Sequence, residues 1–326
     1  MKTVKIAIMG FGNIGVGTYQ GLEINHDAIA EKTGIDLQIK RILEIQQDRP
    51  RPVTPAAGVY TTDIADILED PEIAVVIELL GGLEPATSFM IDAMKAGKHV
   101  VTANKAAIAA NYEKLMDAAK ANNVLFRFEA SVGGGIPVLT AIQNALLANQ
   151  FEEVTGILNG TTNFILTQMT EGGRAYDDVL KEAQAKGFAE ADPTADVEGH
   201  DVANKLSILI SLCFGKRVKV EDIPTVGITG VTAEEIEEAK KAGEVIKLLA
   251  SAKLKDGKVE CSVGPQRIAK SHPLAGVSNE FNALYIKGNI VGETMFYGKG
   301  AGPLPTGSAI LGDVIDIARQ LQGGLR

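Results

Sequence analysis

The sequence contains no tryptophan, and aromatic residues make up only 5% of it. That argues against the aromatic platforms on which single-stranded nucleic acids stack. Cysteine is scarce as well. Cys213 and Cys261 cannot build a disulfide framework, and no CxxC or Cys/His cluster offers a zinc site. A reducing, cytoplasmic compartment is the expectation that follows. Basic residues are in the minority, 32 Lys and Arg against 41 Asp and Glu, for a net charge of −9. Such a surface suits neither nucleic acid nor an anionic membrane. No apolar run approaches the ~18 residues of a membrane span, and the apolar stretch in the opening MKTVKIAIMG is too short for a secretory leader. Tandem repeats and low-complexity tracts are absent too.

What is present is a chain of 326 residues with 45% apolar content. That is enough for one large or two medium domains with real cores. Val4 to Met9 reads as a short apolar strand, and it runs directly into GFGNIG at residues 10–15. A G-x-G-x-x-G between a strand and a helix has a physical reading. Gly10 permits the tight turn, Gly12 lets the backbone approach a pyrophosphate, and Gly15 lets helix and strand pack closely. The exposed N–H groups of the helix start then hold the diphosphate. Further strands are expected at 37–45, 74–80, 99–102 and 125–130, with helices at about 14–30, 63–69, 85–96 and 111–122 between them. This alternation implies a parallel, doubly wound sheet whose ligands sit at the strand ends. Gly81-Gly82 and Thr102-Ala103-Asn104-Lys105 fall at such ends. Lys105 could face cofactor and substrate there; standing alone it reads as a solvated loop lysine. The end of the second strand, where a dinucleotide's adenosine ribose is read, gives Glu44 and then Arg49 and Arg51. An acid favours NAD and an arginine NADP, so the cofactor choice stays open.

Beyond residue 125 the pattern changes. EASVGGGIP at 129–137 places a carboxylate before a tight glycine loop with exposed carbonyls. Such a set could hold a hard monovalent cation through oxygen, although a plain strand-to-helix turn is the more ordinary reading. The turn in ILNGTTNFIL (157–166) offers backbone N–H groups and hydroxyls. Glu190, Asp192, Asp196, Glu198 and Asp201 then crowd into twelve residues closed by Lys205. Asp201 and Lys205 lie four apart in GHDVANKLSIL (199–209), side by side on a helix. Val202, Leu206, Leu209 and Cys213 form one stripe of that helix. Asp201 and Lys205 begin the next stripe, which continues as Ile208 and Leu212. An ordinary ion pair near a helix start would look the same. The surrounding hydrocarbon suggests more, since burial disfavours the charged form of a lysine and prepares it for proton transfer.

At these residues the chain resembles the homoserine dehydrogenases. The resemblance spans essentially the whole sequence. It rests on GFGNIG, ELLGGLEPA (78–86), VTANKA (101–106), EASVGGGIP, NGTTNFIL (159–166), GFAEADPTADVEGHDVANKL (187–206) and GKGAGPLPTGSAILGDVIDIAR (298–319). It implies an α/β fold: an N-terminal Rossmann-like doubly wound parallel sheet (1–130), a mixed α/β catalytic and dimerisation domain (131–304), and a C-terminal helix (305–326) packing back on the nucleotide domain. It implies reversible NAD(P)-dependent interconversion of L-homoserine and L-aspartate 4-semialdehyde, in the biosynthesis of threonine, methionine and isoleucine, by a homodimer. Lys205 matches the acid/base lysine and Lys105 a second lysine near cofactor and substrate. Glu190 and Asp201 match substrate-binding carboxylates. Phe11, Asn13, Ile14, Thr102, Gly187 and Gly302 join the three glycines as cofactor contacts. Glu129 with the carbonyls of Val132, Gly134 and Ile136 matches a sodium site. Three departures stand out. Gln46-Gln47 occupy the place where many relatives have Arg-Asp, and Phe188 replaces a tyrosine. The sequence stops at Arg326, where many bacterial relatives continue into a regulatory ACT domain, so feedback control through such a domain is not expected. Two alternatives remain beside this reading: another amino-acid or semialdehyde dehydrogenase of Rossmann type, and a nucleotide-sensing protein without turnover.

Overall fold

The computed structural model describes residues 1–323. It divides into two compact units: Met1–Gly135 together with the segment from Gly302 onward, and Ile136–Ala301.

The first unit is built on a parallel sheet of β1 (Lys2–Met9), β2 (Ile35–Leu43), β3 (Tyr60–Thr61), β4 (Ile73–Glu78), β5 (His99–Thr102) and β6 (Phe126–Arg127). The strand order is β3-β2-β1-β4-β5-β6. It reverses between β1 and β4, which is where a doubly wound sheet opens a crevice for ligands. Ile6 to Met9 and Val75 to Ile77 are fully buried, as expected of strands covered on both faces. The helices are α1 (Asn13–Thr33), α2 (Ala65–Leu68), α3 (Ala86–Lys95), α4 (Lys105–Ala121) and α11 (Pro303–Gly323). Helices α1 and α11 approach at backbone distance. A Cβ on Gly17 would lie 2.3 Å from the Pro303 carbonyl oxygen, and one on Gly307 2.8 Å from that of Gly17. Ile310, Val314 and Ile317 of α11 enter the same core as Val16 and Leu22 of α1.

Several boundaries differ from the sequence reading. Helix α4 begins at Lys105 rather than near 111, because the Asn104 side chain caps it by accepting the Ala107 N–H at 3.1 Å. Position 111 is instead a kink, with φ −125° and ψ 28°. β2 ends at Leu43 and β4 at Glu78. At the end of β4 the Glu78 carboxylate accepts the Leu80 N–H at 2.8 Å, which folds the chain back on itself. The expected strand at 125–130 shortens to β6, followed by a single 3-10 turn over Glu129–Ser131.

The second unit carries an antiparallel sheet ordered β11-β10-β7-β8-β9. Its strands are β7 (Phe151–Ile157), β8 (Glu244–Lys255), β9 (Lys258–Ala269), β10 (Phe281–Gly288) and β11 (Gly292–Lys299). The helices are α5 (Val138–Thr140), α6 (Gly160–Gly172), α7 (Tyr176–Ala185), α8 (Thr194–Val197), α9 (His200–Phe214) and α10 (Ala233–Lys241), of which α6, α9 and α10 lie against β8. The middle of β8, Ile246 to Ala250, is buried throughout, a lysine included. Lys247 Nζ donates to the Val277 carbonyl at 2.6 Å and to Asn163 Oδ1 at 3.2 Å. Asn163 Nδ2 in turn donates to the carbonyls of Val277, Asn279 and Phe281. The two side chains bind the 277–281 loop to helix and sheet. Among the described residues no helix is long and apolar enough to cross a membrane.

Burial pushes the Lys247 ammonium down to about 8, with the charge of Glu171 pulling the other way. An unfolded lysine titrates near 10.5. Above that pH both states are neutral at this position. Between 10.5 and about 8 only the unfolded chain takes up the proton, so stability falls as pH falls through the window and the full penalty stands below it. The size is on the order of 3 kcal/mol. Urea unfolding of the wild type should therefore show a gain in stability from pH 8 to pH 10 that Lys247→Met does not show. Parallel pH profiles for the two proteins would contradict this.

Candidate functional site

The glycine loop of the first unit has the properties its spacing calls for. Gly10 has φ +94°, and a Cβ on it would lie 2.7 Å from the Leu79 carbonyl oxygen, so the turn excludes any side chain. A Cβ on Gly15 would lie 2.4 Å from the Gly10 carbonyl oxygen, which fixes how closely α1 can follow β1. Gly12 faces open space: a Cβ there would meet nothing within 4 Å. Gly12 and Asn13 are exposed, Ile14 is half-buried and the Phe11 side chain is core. The ring of Phe11 meets Tyr19 and Tyr60 edge-on at 5.7 and 5.9 Å. Helix α1 has no side-chain cap and no acid in its first turn. Its N-terminal N–H groups and its positive dipole end therefore have no anion of the chain's own in that turn. Open backbone at Gly12 and an uncompensated helix start fit the diphosphate of a dinucleotide.

At the neighbouring strand ends sits a group to which the sequence reading gave no role. Glu78, the last residue of β4, is fully buried. Its Oε1 accepts the N–H groups of Leu80 and Gly81, and its Oε2 accepts the Thr102 hydroxyl at 2.6 Å. Thr102 Oγ1 accepts the Asn104 N–H at 2.9 Å, and Asn104 Nδ2 donates to the Gly82 carbonyl at 2.8 Å. Burial pushes the Glu78 carboxyl up, while these donors, led by Thr102, pull it back. The network holds the 79–82 turn and the start of α4, where Lys105 stands half-buried. Thr102 itself is fully buried, its hydroxyl engaged by Glu78 and Asn104. The sequence signal was an acid ending an otherwise apolar strand.

In the second unit α9 runs from His200 to Phe214, and Asp201 and Lys205 are only 6% and 8% exposed. Lys205 Nζ lies 2.6 Å from Asp201 Oδ2 and donates to the Leu158 carbonyl at 2.7 Å. Asn159, the cap of α6, completes the cluster. Its Oδ1 accepts the Thr162 N–H at 2.9 Å, and its Nδ2 donates to Asp196 Oδ1 at 2.7 Å and Asp201 Oδ2 at 3.0 Å. Thr161 Oγ1 is 3.4 Å from Asp196 Oδ2. NGTT and DVEGHDVANK, separated by some thirty-five residues, thus meet around one buried lysine, and Asn159 is the hinge that the sequence alone did not single out.

Other candidates lie elsewhere. Glu190 is exposed in the loop between α7 and α8, where its carbonyl accepts from Gln184 Nε2 at 3.1 Å. Gly187 in the same loop has φ +75°, and Gly302 before α11 has φ +113°. Glu129 is buried, and the loop after it turns through Gly133 and Gly134 at φ +77° and +55°. Asp313 of α11 accepts the Glu129 N–H at 2.8 Å, and burial pushes its carboxyl up to about 8. Val132 and Gly134 follow Glu129 in the first unit, and Ile136 opens the second. Among the described residues no three His, Cys, Asp or Glu side chains group to hold a metal ion; a site made mainly of carbonyl oxygens is a different arrangement.

Comparison with known proteins gives a consistent result. Residues 10–129 match the family model for the NAD binding domain of homoserine dehydrogenase, and residues 137–315 match that for homoserine dehydrogenase. The homoserine dehydrogenase of Bacillus subtilis is 41% identical over 325 residues, spanning 100% of this chain and 75% of the relative. That of Corynebacterium glutamicum is 43% identical, spanning 99% and 74%. Among solved structures, a homoserine dehydrogenase from Thiobacillus denitrificans superposes with a TM-score of 0.94 at 42% identity, covering 99% of this chain and 75% of that one. A hyperthermophilic archaeal homoserine dehydrogenase in complex with NADPH superposes at 0.79 with 27% identity, covering 97% and 98%.

The buried Asn159 cluster makes a direct prediction about stability. Asn159→Leu keeps the volume but leaves buried Asp201 and half-buried Asp196 each short of a donor. It should lower stability by about 1–3 kcal/mol, read as a drop in the urea midpoint. A midpoint within error of the wild type would show that the cluster is not held by this amide.

Proposed function

The chain belongs to the homoserine dehydrogenase family, and from that premise we propose that it interconverts L-homoserine and L-aspartate 4-semialdehyde with NAD(P), using Lys205 as the proton-transfer group. The observation that carries this reading is the buried Lys205–Asp201 contact of 2.6 Å, tied to Leu158 and Asn159. When bound, the nicotinamide cofactor supplies the hydride acceptor or donor. The chain's own residues manage the proton. In the oxidative direction Lys205 as neutral amine takes the hydroxyl proton of homoserine while the carbinol carbon gives up hydride, and the C–O bond becomes a carbonyl. In the reductive direction its ammonium returns a proton to the oxygen as hydride arrives at the carbon. Asp201 orients the amine and stabilises its charged form. Lys105, at the start of α4, is the second lysine of the reading, and Glu190 and Asp201 are its substrate carboxylates, with Glu190 taking the substrate ammonium from its exposed loop.

The finer parts of the reading are proposals of the same kind. Glu129 and the carbonyls of Val132, Gly134 and Ile136 bind a monovalent cation, sodium by its oxygen preference. Support comes from a buried carboxylate beside a left-handed glycine pair. The chain works as a cytoplasmic homodimer. Met295 and Tyr297, exposed on β11 with Tyr297 stacked on Phe281 at 5.2 Å, supply apolar surface suited to a second copy.

Two measurements test the reading. Lys205→Ala should lower kcat by at least about a hundredfold, the loss of a general base, while NAD(P)H binding followed by fluorescence is kept. A variant with near-normal kcat removes Lys205 from the mechanism. Replacing sodium by a bulky organic cation at constant ionic strength should lower the thermal midpoint of the wild type, and Glu129→Gln should abolish that response. A midpoint indifferent to the cation in the wild type refutes the site.

A further inference from the structure

The residue following β2 is an acid, the usual sign of a dinucleotide without a 2′-phosphate. The surroundings of Glu44 change what that sign means. Its Oε1 accepts the Gln46 N–H at 2.8 Å, and its Oε2 accepts the Phe11 N–H at 3.0 Å. Arg51 Nη2 lies 3.1 Å from the same Oε2. A carboxylate has about four acceptor positions, and three are taken by the chain itself. A ribose diol needs both oxygens, and Oε2 has both of its positions occupied.

Arg51 is committed as fully. Its Nε donates to the Phe11 carbonyl at 2.9 Å, and its Nη1 to the carbonyls of Gln47 and Arg49 at 3.2 and 3.0 Å. Its guanidinium lies 5.4 Å from the centre of the Phe11 ring, and its side chain is 5% exposed. Arg51 therefore pins the 44–51 segment to the backbone of the glycine motif and cancels the charge of Glu44. It is not available to a ligand. Arg49 is the opposite case. It is exposed, placed by a turn in which its N–H donates to the Gln46 carbonyl at 3.2 Å. It also lines a cleft of about 170 Å³ with Gly12, Asn13, Val16 and Arg51. The cleft thus joins the open glycine of the motif to an exposed guanidinium, beside an acid that has been neutralised.

We propose that Arg49 receives the 2′-phosphate of NADP(H), and that Arg51 permits this by neutralising Glu44, so that the chain selects the phosphorylated dinucleotide despite its acid at the end of β2. The chemistry is the pairing of a planar guanidinium with a phosphate dianion. Without Arg51, the Glu44 carboxylate would repel that phosphate across the same cleft. This assignment rests on the dinucleotide part of the proposed function and deepens it; it does not depend on homoserine being the substrate.

The test uses the full-length protein and the adenosine half of the cofactor, read by calorimetry rather than by turnover. The wild type should bind 2′,5′-ADP about tenfold or more tighter than 5′-AMP, the scale of one charge-assisted pair. Arg49→Gln should bring the two affinities together by weakening 2′,5′-ADP alone. The substitution is exposed and leaves the fold intact. Arg51→Met should also weaken 2′,5′-ADP, and the pair Glu44→Gln with Arg51→Met should recover it, a result that mere disruption of the loop would not give. Equal or tighter binding of 5′-AMP by the wild type overturns the proposal, as does an unchanged ratio in Arg49→Gln. Normal half-cofactor binding with no turnover of homoserine would sink the substrate assignment and leave the 2′-phosphate site standing.

Discussion

A lysine and an aspartate held 2.6 Å apart with less than a tenth of either exposed set the terms for the second unit. Taking both charges out of water costs several kcal/mol per ion, and their attraction recovers that only when the remaining donors and acceptors are also met. Here main chain and an amide meet them. The Leu158 carbonyl takes one lysine proton, and Asn159 donates to the aspartate. That requirement explains the local architecture. β7 must end at Ile157 so that Leu158 and Asn159 turn out of the sheet. Asn159 must cap α6, and α9 must begin at His200 so that its first turn meets them. The strand, the two helix starts and the charge pair are one construction.

The first unit solves a related problem in the other direction. It satisfies acids at its strand ends with backbone N–H groups and a hydroxyl, joined at Glu44 by Arg51. Glu78 holds the 79–82 turn and, through Thr102, the start of α4. Glu44 holds the glycine loop through the Phe11 N–H. In both cases a carboxylate at a strand end organises backbone that faces the ligand crevice. Loops at strand ends would otherwise be the least restrained parts of an α/β fold. Fixing them in advance means that less order has to be imposed when a ligand arrives.

Legibility in the sequence followed the range of the interactions. The parallel sheet was readable because its strands are short apolar runs punctuated by glycine, and GFGNIG carries its own steric logic at Gly10 and Gly15. The pairing of Asp201 with Lys205 was readable because i,i+4 spacing on a helix is local. Asn159 was not, because its partners lie thirty-seven and forty-two residues away. Nor was the start of α4. Lys105-Ala106-Ala107-Ile108-Ala109-Ala110 has too little polar contrast to show a helical period, and the decisive signal was the cap at Asn104. The short β6 shows the reverse error: an apolar stretch that looks like strand is diverted into a turn at Glu129, whose N–H is claimed by Asp313, 184 residues further on.

Glu44 shows where residue identity alone stops being informative. An acid after the second strand is read as a ribose ligand because a carboxylate with empty acceptor positions will seek a diol. The same carboxylate, with a backbone N–H and an arginine on one oxygen and a backbone N–H on the other, has neither the charge nor the positions for that role. The arginine that disarms it lies seven residues later and is held by three carbonyls. It follows that the proposed selectivity of this crevice belongs to the segment 44–51 as a unit. Changing Glu44 by itself would leave Arg51 a buried cation without its acid, altering fold and field together, so the role of either residue is measurable only with the other in view.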